Sequence, residues 1–299
     1  MDHVMTIDPK DISVPALHGL MQGVVAPRPI AFASTIDKKG KVNLSPFSFF
    51  NMFSSNPPML IFSPSRRVRD NSTKHTLDNV HEHGEVVINI VNYAMVQQMS
   101  LSSTEYEKGV NEFIKAGFTE VPSEKVKPPR VAESPAAFEC KVKQIVPLGD
   151  QGGAGNLVIC EVLLMHFKKE IFDEQGRVDT EKVDTVARMG GNWYCRAHGE
   201  ALFEVPKPLE KKGIGVDQLP ERIRLSSVLT GNDLGMLGNV EHIPSDAEVR
   251  EYHKHEKVQL LVEEYENDPT GFEEALHLLA QQYLHDGYVE IAWKILLQI

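Results

Sequence analysis

The segment AAFECKVKQIVPLGDQGGAGNLVICEVLLMHF, Ala136–Phe167, decides the fold class. From Ala136 to Val146 apolar and polar residues alternate, the period-two pattern of a half-buried strand. Leu157 to Phe167 is a second strand-like apolar run. Gly149 to Asn156 (GDQGGAGN) connects the two. A dinucleotide-binding fingerprint requires a strand, then glycines, then a helix. Here the glycines lead back into a strand, so the segment reads as a β-hairpin and a Rossmann sheet is set aside.

Working outward, Ile30–Ile36 reads as a strand closed by a turn at Asp37-Lys38-Lys39-Gly40, followed by a second extended piece. Met59–Phe62, after Pro57-Pro58, is a short strand. Glu85–Val91 (EVVINIV) is the clearest buried strand, because β-branched residues dominate it. Thr73–His83 reads as a helix stopped by Gly84, and shorter helices are expected at Tyr93–Leu101 and Val110–Phe118. Strands so spaced predict a mainly β chain, a barrel with helical insertions. From about Gly199 prolines punctuate a polar connection. Two long helical patterns follow, Asp246–Asn267 and Gly271–Leu297, with Pro269-Thr270-Gly271 as the turn between them. The expected division is therefore a barrel over residues 1–200 and a linker with a helical C-terminal extension over 201–299.

Of 299 residues, 41% are hydrophobic and 24% charged, an ordinary globular composition. A formal net charge of −11 argues against nucleic acid or an anionic membrane as a general partner. Three cysteines without CxxC spacing argue against a disulfide framework and fit a reducing compartment. Cys140 and Cys160 fall in strand-like runs, as small buried side chains do. No apolar run is long enough for a membrane span and no signal pattern opens the chain, so a cytoplasmic protein is expected.

Chemistry concentrates in NLSPFSFFNMFSSNPPMLIFSPSRRVRDNSTKHT, Asn43–Thr76. Ser45-Pro46-Phe47-Ser48 and Asn51 offer small polar groups and exposed N–H donors beside aromatics, which suits the edge of a planar heterocycle. They equally suit a strand running into a loop. Ser63, Arg66, Arg67, Lys74 and Thr76 cluster where a strand ends and a helix begins, and the N–H groups and dipole of a helix N-terminus favour phosphate. The alternative is an ordinary cap at Asn71, Ser72 or Thr73 with solvated arginines. A ligand with a flat ring at one end and a phosphate at the other explains the order. His81/His83 and His253/His255 are two apart, pointing to different sides of a helix, and HExxH is absent; no metal site is predicted. GxSxG and GxxxxGK[ST] patterns are also absent.

The order of motifs resembles the flavin reductase-like family, in particular its flavoredoxin branch. The matching features are Arg28-Pro29, Ala33-Ser34-Thr35, Asn43 through Phe50, Asn56-Pro57-Pro58, Phe62-Ser63 and Lys74-His75-Thr76. They continue with Glu85 through Asn89, Glu112-Phe113, Ala116-Gly117-Phe118, Glu133-Ser134-Pro135, Glu139-Cys140 and Met189-Gly190-Gly191 before Tyr194. Coverage is roughly residues 10 to 200. His75 stands where the family often has aspartate. The resemblance implies an FMN-binding split β-barrel and a homodimer with FMN near the subunit interface. It implies Ser45, Pro46, Phe47, Ser48 and Asn51 at the flavin ring, and Ser63, Lys74 and Thr76 near the ribityl chain and phosphate. Arg66 is a further candidate cofactor contact. The expected activity is transfer of hydride from NAD(P)H to FMN, with electrons passed to free flavin or an acceptor protein. Hydride transfer to flavin requires no protein acid or base, so no catalytic residue is assigned. Two alternatives stay open: an electron carrier fed by a partner protein, and a non-enzymatic FMN-binding protein whose C-terminal helices are the working surface.

Overall fold

The computed structural model describes residues 3–208 and 212–298. The chain divides into two compact units, Met1–Phe203 and Glu204–Ile299.

In the first unit the strands are β1 (Ala31–Ile36), β2 (Val42–Phe47), β3 (Phe50–Ser55), β4 (Pro58–Phe62), β5 (Glu85–Asn89), β6 (Glu120–Val121), β7 (Arg130–Val131), β8 (Ala136–Pro147), β9 (Asn156–Phe167), β10 (Val186–Arg188) and β11 (Tyr194–Arg196). Its helices are α1 (Val14–Val24), α2 (His75–His83), α3 (Val96–Leu101), α4 (Glu112–Ala116) and α5 (Thr180–Val183). Seven strands form one antiparallel sheet in the order β2-β1-β5-β8-β9-β4-β3, while β6–β7 and β10–β11 are separate two-stranded ribbons. The edge strands β2 and β3 are consecutive in the chain, with only Ser48 and Phe49 between them. Laid flat, a seven-stranded sheet would hold its edges roughly 29 Å apart. The step from Phe47 to Phe50 spans at most about 11 Å. The sheet must therefore curl into a barrel.

Its interior is packed by Ala31, Ala33, Phe47, Phe62, Val86, Ile88, Cys140 and Cys160, among others. Every residue of β1 is buried. The pleat sends Ala31 and Ala33 inward, and sends Phe32 outward into a second cluster with Leu44, Met95, Met99 and Phe113, where α3 and α4 cover the strand. The glycines of the β8–β9 hairpin serve close approach rather than phosphate. Gly153 has φ +94°, and a Cβ on Gly155 would lie 2.7 Å from Ser63 Oγ. Arg66 N donates to Ala154 O at 2.8 Å and Gly153 N to Arg66 O at 3.0 Å, so the hairpin tip buttresses the basic segment.

Cys140 and Cys160 are fully buried. Burial pushes the Cys140 thiol up to about 12 and the Cys160 thiol well above its ordinary value. Cys195 is half-buried on β11. An alkylating thiol reagent at neutral pH is thus expected to modify Cys195 in the native protein and the other two only in denaturant. Native modification of Cys140 or Cys160, read by peptide mass, would contradict this packing.

In the second unit lie α6 (Glu221–Arg224), α7 (Gly231–Gly238), α8 (Asp246–Tyr252), α9 (Glu256–Glu264), α10 (Pro269–His285) and α11 (Val289–Leu296). Among the described residues it has no strand. Ile223, Leu237, Leu276, Leu284, Trp293 and Ile295 build a core of its own, and Trp293 Nε1 donates to Leu237 O at 3.1 Å. The two long helices expected here are four. Residues His253–His255 interrupt the first, with His255 at the N-cap position of α9. Gly287, at φ +82°, interrupts the second. Pro269 opens α10 instead of separating helices: it lacks an N–H that a helix start does not need, and the Asp268 side chain caps Gly271 N at 3.0 Å. Over the described residues helix (35%) exceeds strand (23%), so a mainly β description holds for the first unit alone. Among the described residues no helix is long and apolar enough to cross a membrane.

Candidate functional site

The site grows from the join between β4 and α2. Lys74 occupies the N-cap position of α2 with no side-chain cap. The expected cap residues are engaged elsewhere. Thr73 Oγ1 donates to Asp78 at 2.7 Å, Ser72 Oγ donates to Asp70 and accepts from Arg67 Nη1 at 2.9 Å, and Asn71 accepts from Arg66 Nε at 2.7 Å. Arg67 Nη1 also donates to Thr73 O. Burial, then the neighbouring Arg67 charge, holds the Lys74 ammonium below its ordinary pKa. His75 is likewise held below the ordinary imidazole value, first by burial.

Beneath this cationic rim runs a buried polar chain. Thr76 Oγ1 donates to Asn43 Oδ1 at 2.7 Å, and Asn43 Nδ2 donates to Glu112 Oε1 at 2.9 Å. Leu44 N donates to Glu112 Oε2 at 2.9 Å. Glu112 opens α4 and is buried; burial raises its pKa against the pull of these donors. The chain ties β2, α2 and α4 together below a cleft lined by Ser45, Arg67, Lys74, His75, Thr76 and the loop Ser102–Tyr106. Ser103 also lines a second cleft with Pro46, Ser48, Met99, Arg188, Asn192 and Tyr194. That serine is common to both linings. The Arg188 guanidinium stacks over the Tyr194 ring at 4.6 Å, so the far wall joins a cation to a flat aromatic face.

The pleat of β2 partitions the residues singled out in the sequence. Ser45, with Lys74 and Thr76, lines the basic cleft, and Pro46 and Ser48 line the second. The Phe47 side chain lies in the barrel core, 5.4 Å from the Phe62 ring, which leaves only its backbone for a ligand. Ser63 is buried beside Gly155. Arg66 is committed to Asn71 and lines neither cleft; its neighbour Arg67 does. Asn51 is exposed on β3, its Oδ1 accepting from Met52 N at 2.8 Å. Sequence reasoning missed Asn43 as the link to Glu112, the loop Ser102–Glu105, and Arg188 with Asn192 and Tyr194. Only the Ser-Ser-Thr run after α3 offered a hint, and such runs are common in loops. Among the described residues no group of three or more His, Cys, Asp or Glu side chains is arranged to hold a metal ion.

Comparison with known proteins follows the same segment. The sequence model of the flavin reductase like domain matches residues 23–182. An uncharacterised protein of Aquifex aeolicus is 39% identical over 196 residues, covering 66% of this chain and 97% of its own. The crystal structure of nitrilotriacetate monooxygenase component B from Bacillus cereus superposes with a TM-score of 0.64 at 28% identity, covering 69% of this chain and 100% of that one. That of 2-nitrobenzoate 2-nitroreductase from Pseudomonas fluorescens gives 0.60 at 28% identity, covering 70% and 100%. Each of the three covers 66–70% of this chain, and the family model ends at residue 182.

Proposed function

Because the chain belongs to the flavin reductase-like family, we propose that it is an FMN-binding oxidoreductase, an NAD(P)H-dependent flavin reductase that takes hydride onto FMN and passes the electrons onward. One observation carries the reading: a cleft rimmed by cations and hydroxyls at a helix N-terminus without a side-chain cap shares Ser103 with a second cleft that has an aromatic wall. The donor set fits the group. Lys74, Arg67 and the N-terminus of α2 would hold the phosphate, with Ser45 and the Ser102–Thr104 hydroxyls beside them. Pro46, Ser48 and Tyr194 would border the ring, and Ser63 would support the chain between. Arg67, which lines the cleft, would make this contact, and Arg66, bonded to Asn71, would lie behind it.

When bound, the flavin supplies the two-electron redox chemistry. The residues of this chain would orient it and limit water around it, and no protein group need move a proton for hydride to arrive. Met52 and Phe53 on the edge strand β3 are 63% and 65% exposed. They support a second copy of the chain as the covering partner, and Asn51 would reach a flavin only across such an interface.

The test is a visible spectrum of the purified protein after adding FMN and removing the excess, followed by anaerobic NADH and then NADPH. Retained colour that bleaches with one nicotinamide is expected, and it names the donor. Colour that persists against both would instead mark a carrier fed by a partner protein. If a titration detects no flavin binding at any concentration, the reading fails.

A further inference from the structure

Two cations of the basic cleft, Arg67 and Lys74, and a third, Arg69, converge on one side chain. Arg67 Nε lies 3.0 Å from Glu105 Oε1, Arg69 Nη2 2.5 Å from Oε2, and Lys74 Nζ 3.8 Å from Oε1. Glu105 comes from the loop between α3 and α4, the same loop whose serines line both clefts. Its oxygen Oε1 is within ion-pair distance of both Arg67 and Lys74, two of the cations that line the cleft. The hydrogen bonds from Arg67 and Arg69 hold the carboxylate below its ordinary range, so it is an anion throughout the neutral pH range. The side chain is 40% exposed. Its ion pairs are therefore screened by water and easily exchanged.

We propose that Glu105 is a resident counter-ion that a phosphate-bearing ligand must displace, and that it thereby sets how readily FMN exchanges at this site. The inference rests on the FMN reading above and deepens it. A phosphate dianion offers more charge and more acceptors than one carboxylate, so it wins the cations. It does so with part of its advantage spent on releasing Glu105. The effect acts on phosphate alone: riboflavin, which has the same ring and ribityl chain, presents nothing to compete with the carboxylate. Glu105 thus lowers the preference for FMN over riboflavin and favours flavin that comes and goes over flavin held permanently.

The test compares Glu105→Gln and Glu105→Asp with the wild type. FMN and riboflavin are titrated separately at fixed ionic strength, with thermal unfolding as a check that each variant is folded. Glu105→Gln keeps the shape and removes the charge. Its FMN dissociation constant is expected to fall about tenfold, and its riboflavin constant to move less than twofold. Inorganic phosphate should compete with FMN more strongly in this variant than in the wild type. Glu105→Asp, which keeps the charge, should stay near the wild type. Unchanged or weaker FMN binding in folded Glu105→Gln overturns the inference and leaves the FMN reading standing. Equal tightening of riboflavin also overturns it, since the effect would then not pass through the phosphate. If the wild type binds neither flavin, the FMN reading fails and takes this inference with it.

Discussion

Replacing Lys74 and Thr76 together by alanine is expected to weaken FMN binding tenfold or more while the barrel stays folded. A charge-assisted hydrogen bond to phosphate is worth roughly 1.5–3 kcal/mol, and the double variant removes one such donor and a neighbouring hydroxyl. The two halves of the change act differently, which makes the single variants informative. Lys74 has one ion-pair partner among the described residues, Glu105 at 3.8 Å, and Glu105 keeps both arginines when the lysine goes. Lys74→Ala should therefore cost binding and almost no stability. Thr76 is buried and satisfies Asn43, so Thr76→Ala should also cost about 1 kcal/mol of stability by leaving Asn43 Oδ1 short of a donor. The ammonium, not the amine, binds phosphate, and burial lowers the Lys74 pKa. FMN affinity should accordingly decline with rising alkalinity before an ordinary lysine would titrate, and Lys74→Arg should abolish that decline. Equilibrium titration by flavin fluorescence reads all of these. Full affinity in a folded double variant would remove the phosphate from this cleft.

The strands of the barrel were legible because their signals are local. Alternation in β8, β-branched density in β5 and the glycines between β8 and β9 each state a strand or turn without reference to the rest of the chain. The second unit was less legible. The patterns 246–267 and 271–297 each run through a break, at His253–His255 and at Gly287, where the backbone ends a helix. The site was legible as a neighbourhood and not as a set of contacts. Ser45 through Ser48 read as one patch, but a strand pleat puts neighbours on opposite faces, which sent Phe47 to the core and divided Ser45 from Pro46 and Ser48. Arg66 and Arg67 are indistinguishable in composition. Which of them meets the cleft depends on the positive φ of Asn71, where the loop folds back to take Arg66. Contacts made across long separations, such as Glu112 to Asn43, leave no periodic trace.

Glu139 in β8 carries the largest expected effect on stability. Its side chain is fully buried, with four donors aimed at it. Glu124 N donates at 2.9 Å and His166 Nε2 approaches to 2.7 Å at Oε1; Lys125 N donates at 2.5 Å and Val126 N at 3.2 Å to Oε2. The carboxylate thus pins the Glu124–Val126 turn to the barrel wall and joins β8 to β9. A glutamine of the same shape accepts through one oxygen only, so its NH₂ must face either the Lys125 and Val126 amides or the Glu124 amide and His166. Glu139→Gln should therefore destabilise the barrel by about 3 kcal/mol at neutral pH, the scale of a buried charge network losing one member. Burial opposes ionisation, but these donors outweigh it and hold the folded pKa below the ordinary glutamate value. Protonation is then disfavoured in the folded state. The carboxylate's contribution is full above the unfolded pKa, about 4.3, and is lost as pH falls through the lower folded value. Denaturant melts of wild type and variant should differ most near neutrality and converge in acid. A constant gap across that range would mean that the shape of Glu139, and not its charge, holds the turn.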